Sequence, residues 1–129
     1  MIFGYTRVSK TEQNLDRQID QLQAEGCEKI FKDKITGTTM DRPELNKMLE
    51  QLRSGDTVIV TELSRFGRST KDLLTLSEVL DKKSANLRSL KEPWADTTTP
   101  LGKMLFVIFA GISQFERDLI SQRTKEGLS

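Results

Sequence analysis

Four short runs rich in apolar and β-branched residues recur along this chain, each followed by a segment with helical spacing, and that alternation restricts the fold more than any other feature. Residues 2–8 read as a strand, and residues 11–25 as a helix whose Leu15, Ile19 and Leu22 recur three or four apart before Gly26 stops it. Lys29-Ile30-Phe31 begins a second strand. Asp41-Arg42-Pro43-Glu44 has capping-box spacing with a first-turn proline, and opens a helix carrying Leu45, Met48, Leu49 and Leu52 as far as Gly55. Thr57-Val58-Ile59-Val60 is unbroken in β-branched residues, which predicts a strand buried on both faces. Ser69-Thr70-Lys71-Asp72 then opens a helix with Leu73, Leu74, Leu76, Val79 and Leu80, and 86–90 reads as a fourth strand. Helices between strands demand crossovers, so the expected fold is a three-layer α/β domain around a central, mostly parallel sheet. Ligands of such domains belong at the carboxyl ends of the strands.

From Thr99-Pro100 onward the pattern changes to one long helix, capped by the threonine and started by the proline. Its first half, including Leu101, Met104, Leu105, Phe106, Val107, Ile108, Phe109 and Ile112, is apolar nearly all the way round. Its second half, from Glu116-Arg117-Asp118 through Arg123-Thr124-Lys125, is charged. A helix apolar on every face must be covered on every face. It is either the centre of one domain or, the reading favoured for a terminal helix, packed partly against another subunit. At 129 residues the chain reads as one domain, 1–129, with an α/β core over about 1–98 and the helix over about 99–129.

Twenty Lys and Arg against nineteen Asp and Glu leave a net charge of +1, so DNA binding by this chain must rest on locally clustered arginines. Histidine is absent, which removes the usual general base, the Ser-His-Asp triad and H-E-x-x-H zinc sites together. Phosphate-loop and dinucleotide glycine patterns are missing too. The single Cys27 excludes an internal disulfide and suits a reducing cytoplasm. The start of the sequence carries no cationic leader with an apolar run behind it, and Met104 to Ile112 falls short of the ~20 residues that cross a bilayer. A soluble cytoplasmic protein is expected.

Gly4-Tyr5-Thr6-Arg7-Val8-Ser9 ends a strand in an arginine and a serine. A hydroxyl there is exposed, near a helix N-terminus and two residues from a permanent cation, so it could attack a phosphate. Ser9-Lys10-Thr11-Glu12 also has the S-x-x-E spacing of a capping box, in which the same hydroxyl only satisfies a helix amide. After the third strand comes Glu62-Leu63-Ser64-Arg65-Phe66-Gly67-Arg68-Ser69. Arg65 and Arg68, three residues apart, are either a solvated loop or, with Arg7 at the neighbouring strand end, one anion site.

Taken in order, Tyr5-Thr6-Arg7-Val8-Ser9, Gln13, Asp41-Arg42-Pro43, Leu63-Ser64-Arg65-Phe66-Gly67-Arg68-Ser69, Trp94 to Pro100 and Glu116-Arg117 resemble the catalytic domain of serine site-specific recombinases, the resolvases and invertases. The resemblance covers essentially the whole chain. It implies DNA cleavage and rejoining through a covalent 5′-phosphoserine, without metal or cofactor, by dimers that form tetramers on synapsis. Ser9 would be the nucleophile, and Arg7, Arg65, Arg68, Arg42 and Arg117 the active-site arginines. Gln13 and Gln18 would lie near the nucleophile, and Gln18, Arg123 and Lys125 would meet DNA.

The chain departs from that family in three ways. Ser64 stands where many relatives carry aspartate, so the general base has no candidate. Gln122 stands where glutamate is frequent. The helix-turn-helix DNA-reading domain that normally follows the long helix is absent from the sequence, which predicts weak, salt-sensitive DNA binding.

Overall fold

The computed structural model describes residues 1–9, 15–35 and 42–125. It contains β1 (Ile2–Ser9), α1 (Leu15–Ala24), β2 (Lys29–Ile35), α2 (Pro43–Gln51), β3 (Thr57–Val60), α3 (Thr70–Lys82), β4 (Asn86–Ser89) and α4 (Pro100–Lys125). Two 3-10 turns, Leu63–Arg65 and Pro93–Ala95, follow β3 and β4. The strands form one sheet in the order β2-β1-β3-β4, every pair parallel. This is the α/β architecture that the alternation demands.

Period-two alternation divides the sheet into two faces. Phe3, Tyr5, Val58, Val60 and Leu87 point into one cluster with Leu45, Met48 and Leu52 of α2, Leu73, Leu76 and Leu80 of α3, and Phe106 of α4. The opposite face carries Gly4, Thr6 and Ile59 and receives α1. A Cβ on Gly4 would stand 3.3 Å from Leu22 and 3.0 Å from the Cys27 Sγ, so glycine there lets α1 lie close on β1. Gly26, at φ +87°, ends α1 as its sequence position foretold.

Element starts follow local chemistry with one instructive exception. Ser69 caps α3 by accepting from the Asp72 amide at 3.1 Å, and Thr99 caps α4 by accepting from the Gly102 amide at 3.0 Å. At the start of α2, Asp41 of the capping box expected over Asp41 to Glu44 lies outside the described residues. The N-cap residue of the helix is Arg42, which makes no side-chain cap bond, while Pro43 takes the first-turn position. The Asp33 carboxylate instead reaches across from β2 and accepts from the amides of Glu44 and Leu45, both at 3.0 Å. That acceptor exists because β2 runs on to Ile35, pairing seven positions with β1. The fourth strand ends at Ser89, one residue earlier than expected, and α2 ends at Gln51, short of Gly55.

Among the described residues α4 is covered along one line only. Gly102, Phe106 and Ala110 are buried against α3 and the turn before α4. Leu101, Met104, Val107, Ile108, Ile112, Phe115 and Ile120 are exposed. Burying Phe106 contributes about 2–3 kcal/mol, enough to seat the helix along that one line. A Cβ on Gly102 would fall 1.9 Å from the Asp96 carbonyl oxygen, so the first turn of α4 touches the backbone that precedes it. No described helix is long and apolar enough to cross a membrane.

Candidate active site

The carboxyl ends of β1 and β3 lie side by side because Tyr5 pairs with Val60 in register. Arg7 follows Tyr5 by two residues and therefore leaves β1 on the face covered by α2 and α3. Its Nη2 donates to the Ser64 carbonyl at 2.7 Å, so the first arginine is held by the backbone of the turn after β3. Arg42 enters from the start of α2. Its Nη1 donates to the Phe66 carbonyl at 2.7 Å and its Nη2 to Asp72 at 2.8 Å. The Asp72 carboxylate also accepts from the Arg68 amide at 2.9 Å, which ties Arg68 to the start of α3.

These contacts gather Arg7, Arg42 and Arg68 at one end of the sheet. Arg7 reports the crowding: burial first, and then the charges of Arg42 and Arg68, hold its guanidinium below the usual arginine range. Its Nη1 is buried with no hydrogen-bond partner among the described residues. Asp72 neutralises part of the cluster through Arg42, whereas the Ser64 carbonyl leaves the full charge on Arg7. Like charges in such surroundings repel by on the order of 2–4 kcal/mol, which an anion between them would reverse. Lys71, Arg68 and Arg42 line the cavity at the N-terminus of α3, which adds its own positive potential.

Arg65 is built differently. Its Nη1 donates to the Arg7 carbonyl at 2.9 Å and its Nε to Glu62 at 3.2 Å. With Gln18, Arg17 and Lys91 it lines a second cavity on the α1 face of the sheet. Gln18 is buried there, and its amide oxygen accepts from the Thr6 hydroxyl. The structure thus brings Arg7, Arg42 and Arg68 together, with Arg65 joined to them through the Arg7 backbone. Ser9 is the last residue of β1, two beyond Arg7. Arg117, Arg123 and Lys125 belong to α4. The side chains of Ser9, Arg117, Arg123 and Lys125, all of Gln13, and the Lys10-Thr11-Glu12 part of the capping box lie outside the described residues.

Asp33 and Tyr5 support the site in a way the sequence reading missed. Tyr5 is fully buried, and its hydroxyl donates to Asp33 at 2.8 Å. Burial, and then that hydrogen bond, push the phenol well above its usual range. Asp33 therefore joins β1, β2 and the α2 start from which Arg42 projects. The one available signal was a carboxylate in a strand otherwise marked by lysines, Lys29, Lys32 and Lys34.

Comparison with known proteins gives consistent likenesses. The family described as Resolvase, N terminal domain, matches residues 2–129. A resolvase of Clostridium perfringens (strain 13 / Type A) is 51% identical over 132 residues, covering 99% of this chain and 70% of the relative. The serine recombinase gin of Escherichia phage Mu is 43% identical over 129 residues, covering 100% of this chain and 66% of the relative. The crystal structure of a resolvase family site-specific recombinase from Streptococcus pneumoniae superposes with a TM-score of 0.77 at 25% identity, covering 98% of this chain and 94% of that one.

Proposed function

The chain belongs to the resolvase family of site-specific DNA recombinases, and from that premise we propose that Ser9 is the nucleophile that joins it covalently to DNA. The Ser9 oxygen bonds to the phosphorus of a phosphodiester as its proton leaves. The bond from phosphorus to the 3′ oxygen breaks, and that oxygen departs as a hydroxyl after taking up a proton. A 5′-phosphoserine results, and attack by a new 3′-hydroxyl reverses the step on another partner, so no external energy source is needed. Gln13 is assigned a polar role with the nucleophile from the family resemblance, and no residue is assigned as its base.

The observation that carries this reading is the crowded cluster of Arg7, Arg42 and Arg68 with a buried, unpaired Arg7 Nη1, two residues from Ser9. Phosphoryl transfer spreads negative charge over non-bridging oxygens, so positioned cations are its main requirement. Arg65 and Arg117 complete the cationic set, and Arg123 and Lys125 meet the DNA beyond it, whereas Gln18, expected there too, is buried against Thr6 and has only a supporting role. Bidentate guanidiniums suit phosphate better than lysines, and removing one such donor costs about 10²–10³ in rate.

Family membership carries with it a DNA substrate and oligomeric assembly. Dimers, and tetramers when two sites meet, form through the exposed apolar side of α4, since a monomer rarely leaves so large a contiguous patch in water. The core at about 1–98 then carries the chemistry and the helix from about 99 the assembly. The place of action is the cytoplasm, where the substrate DNA lies.

The test fuses a sequence-specific DNA-binding module to the chain and supplies nicked duplexes flanked by that module's sites. A protein–DNA adduct on denaturing gels is expected from the parent and absent from Ser9→Ala. An adduct that survives Ser9→Ala removes Ser9 from the reaction, and a parent that forms none under activating conditions makes the chain an assembly module alone.

A further inference from the structure

We infer that Glu92 is a positioning residue for the arginine-bearing turn after β3. The turn Leu63–Arg65 has Glu62 at its N-cap position, yet Glu62 makes no cap bond. Its carboxylate is taken by Arg65 Nε at 3.2 Å and Lys91 Nζ at 3.1 Å. The amide of Leu63 would be left an orphan at the start of the turn. Glu92, from the loop after β4, supplies the missing acceptor: its Oε1 receives the Leu63 amide at 3.1 Å and also the hydroxyl of the buried Ser89. The Glu92 amide in turn donates to the Ser89 oxygen at 3.3 Å, which fixes the carboxylate from both ends.

The anchored turn is what aims two arginines. The Ser64 carbonyl accepts from Arg7 and the Phe66 carbonyl from Arg42, and both oxygens lie within three residues of the amide that Glu92 holds. Loosening Leu63 therefore loosens the supports of Arg7 and Arg42 together, although Glu92 touches neither guanidinium. The same loop leads to α4. The Ala95 amide donates to the Glu92 carbonyl at 2.9 Å, and Trp94 stands edge-on to Phe109 with ring centroids 5.2 Å apart. Residues 92–94 thus join the arginine turn to the helix whose exposed side awaits a partner.

This inference rests on reading the arginine cluster as a phosphate site, and the experiment separates the two. Amide hydrogen exchange and arginine guanidinium NMR signals of the 129-residue chain are read without DNA, for the parent, Glu92→Ala and Glu92→Gln. Glutamine keeps an acceptor oxygen of the same reach. In Glu92→Ala the Leu63 amide is expected to exchange about 10-fold faster or more, and the Arg7 and Arg42 signals to move, while Glu92→Gln stays within about 3-fold of the parent. In the adduct assay Glu92→Ala lowers the rate at saturating DNA by about 10-fold without changing half-saturation, and Glu92→Gln restores it. Unchanged Leu63 exchange and unmoved arginine signals in Glu92→Ala overturn the inference, whatever the DNA assay gives. A parent that forms no adduct counts against Ser9 instead, and the exchange measurement still decides the role of Glu92.

Discussion

Replacing Asp33 with alanine tests the claim that one buried carboxylate organises the site from behind. Asp33 is 4% exposed and accepts three hydrogen bonds, from the Tyr5 hydroxyl at 2.8 Å and from the Glu44 and Leu45 amides at 3.0 Å each. Hydrogen bonds to a charged group contribute about 1.5–3 kcal/mol each, so the gross loss is roughly 4–9 kcal/mol. Water can replace the acceptor at the half-exposed Glu44 amide but not at the fully buried Tyr5 hydroxyl or the buried Leu45. A net loss of about 4 kcal/mol follows, a large part of the ~5–15 kcal/mol that holds a domain together.

Urea unfolding reads this directly. With a slope near ~2 kcal/mol per molar, the midpoint of Asp33→Ala should fall by about 2 M at an unchanged slope. Asp33→Asn keeps the volume and one carbonyl oxygen, and should lose only about 1–2 kcal/mol. Tyr5→Phe deletes a single partner and should cost about 1.5–3 kcal/mol, and the Tyr5→Phe, Asp33→Ala double-mutant cycle should show coupling of at least ~0.5 kcal/mol. If Asp33→Ala unfolds within about 1 kcal/mol of the parent, the carboxylate is not the anchor of the α2 start, and the account of how Arg42 is placed fails with it.

Other perturbations probe separate parts of the argument. Burial, and then Glu25, push the Cys27 thiol up to about 11 from 9.0, so at pH 8 its alkylation should run roughly 100-fold slower than in urea; near-equal rates would contradict its packing under α1. The Lys91 hydrogen bond, outweighing burial and joined by Arg65, pulls Glu62 below its usual 4.5. The stability it contributes is present above 4.5 and lost as pH falls through the lowered value, so Glu62→Gln should flatten the acid limb of the urea midpoint, and an unaltered limb would count against these pairings. Gly102→Ala gains about 1 kcal/mol of helix propensity but drives a methyl into the Asp96 carbonyl, so a lowered melting temperature is expected and a raised one refutes the contact. If the proposed assembly uses the exposed side of α4, Ile112→Asp should shift the sedimenting species toward monomer without lowering the melting temperature of the core, whereas an unchanged distribution would place the interface elsewhere.

The sequence reading succeeded where structure is local and failed where it is not. Strand runs such as Thr57 to Val60, the caps at Ser69 and Thr99 and the stop at Gly26 are decided by neighbours within four residues, and all stand. The acceptor at the start of α2, Asp33, could not be read because it is ten residues upstream of Pro43 and arrives through strand pairing. Glu92 was silent for the same reason, being 29 residues from the amide it holds. The apolar half of α4 was expected to be covered on every face, within one domain or partly by another subunit. Period alone, however, could not show that among the described residues only the line through Phe106 finds cover.

The arginines show how physics sorts a motif that spacing leaves undivided. Arg65 and Arg68 look equivalent in sequence, yet the 3-10 turn that ends at Arg65 sends that residue to Glu62 and the Arg7 carbonyl, while Arg68, beyond it, is tied to the start of α3. Arg42, which spacing assigned to a helix start, joins Arg7 and Arg68 because Asp33 sets where that start falls. Backbone carbonyls carry much of the scaffold: Ser64 orients the Arg7 guanidinium without neutralising it, while Phe66 shares Arg42 with the Asp72 carboxylate. A carboxylate in place of the Ser64 carbonyl would hold the side chain as firmly and cancel the charge that a phosphate needs to find. Holding Arg7 by a neutral acceptor, while Asp72 and Glu62 order Arg42 and Arg65, keeps the site both ordered and positive beside Ser9, the combination that an incoming phosphodiester requires.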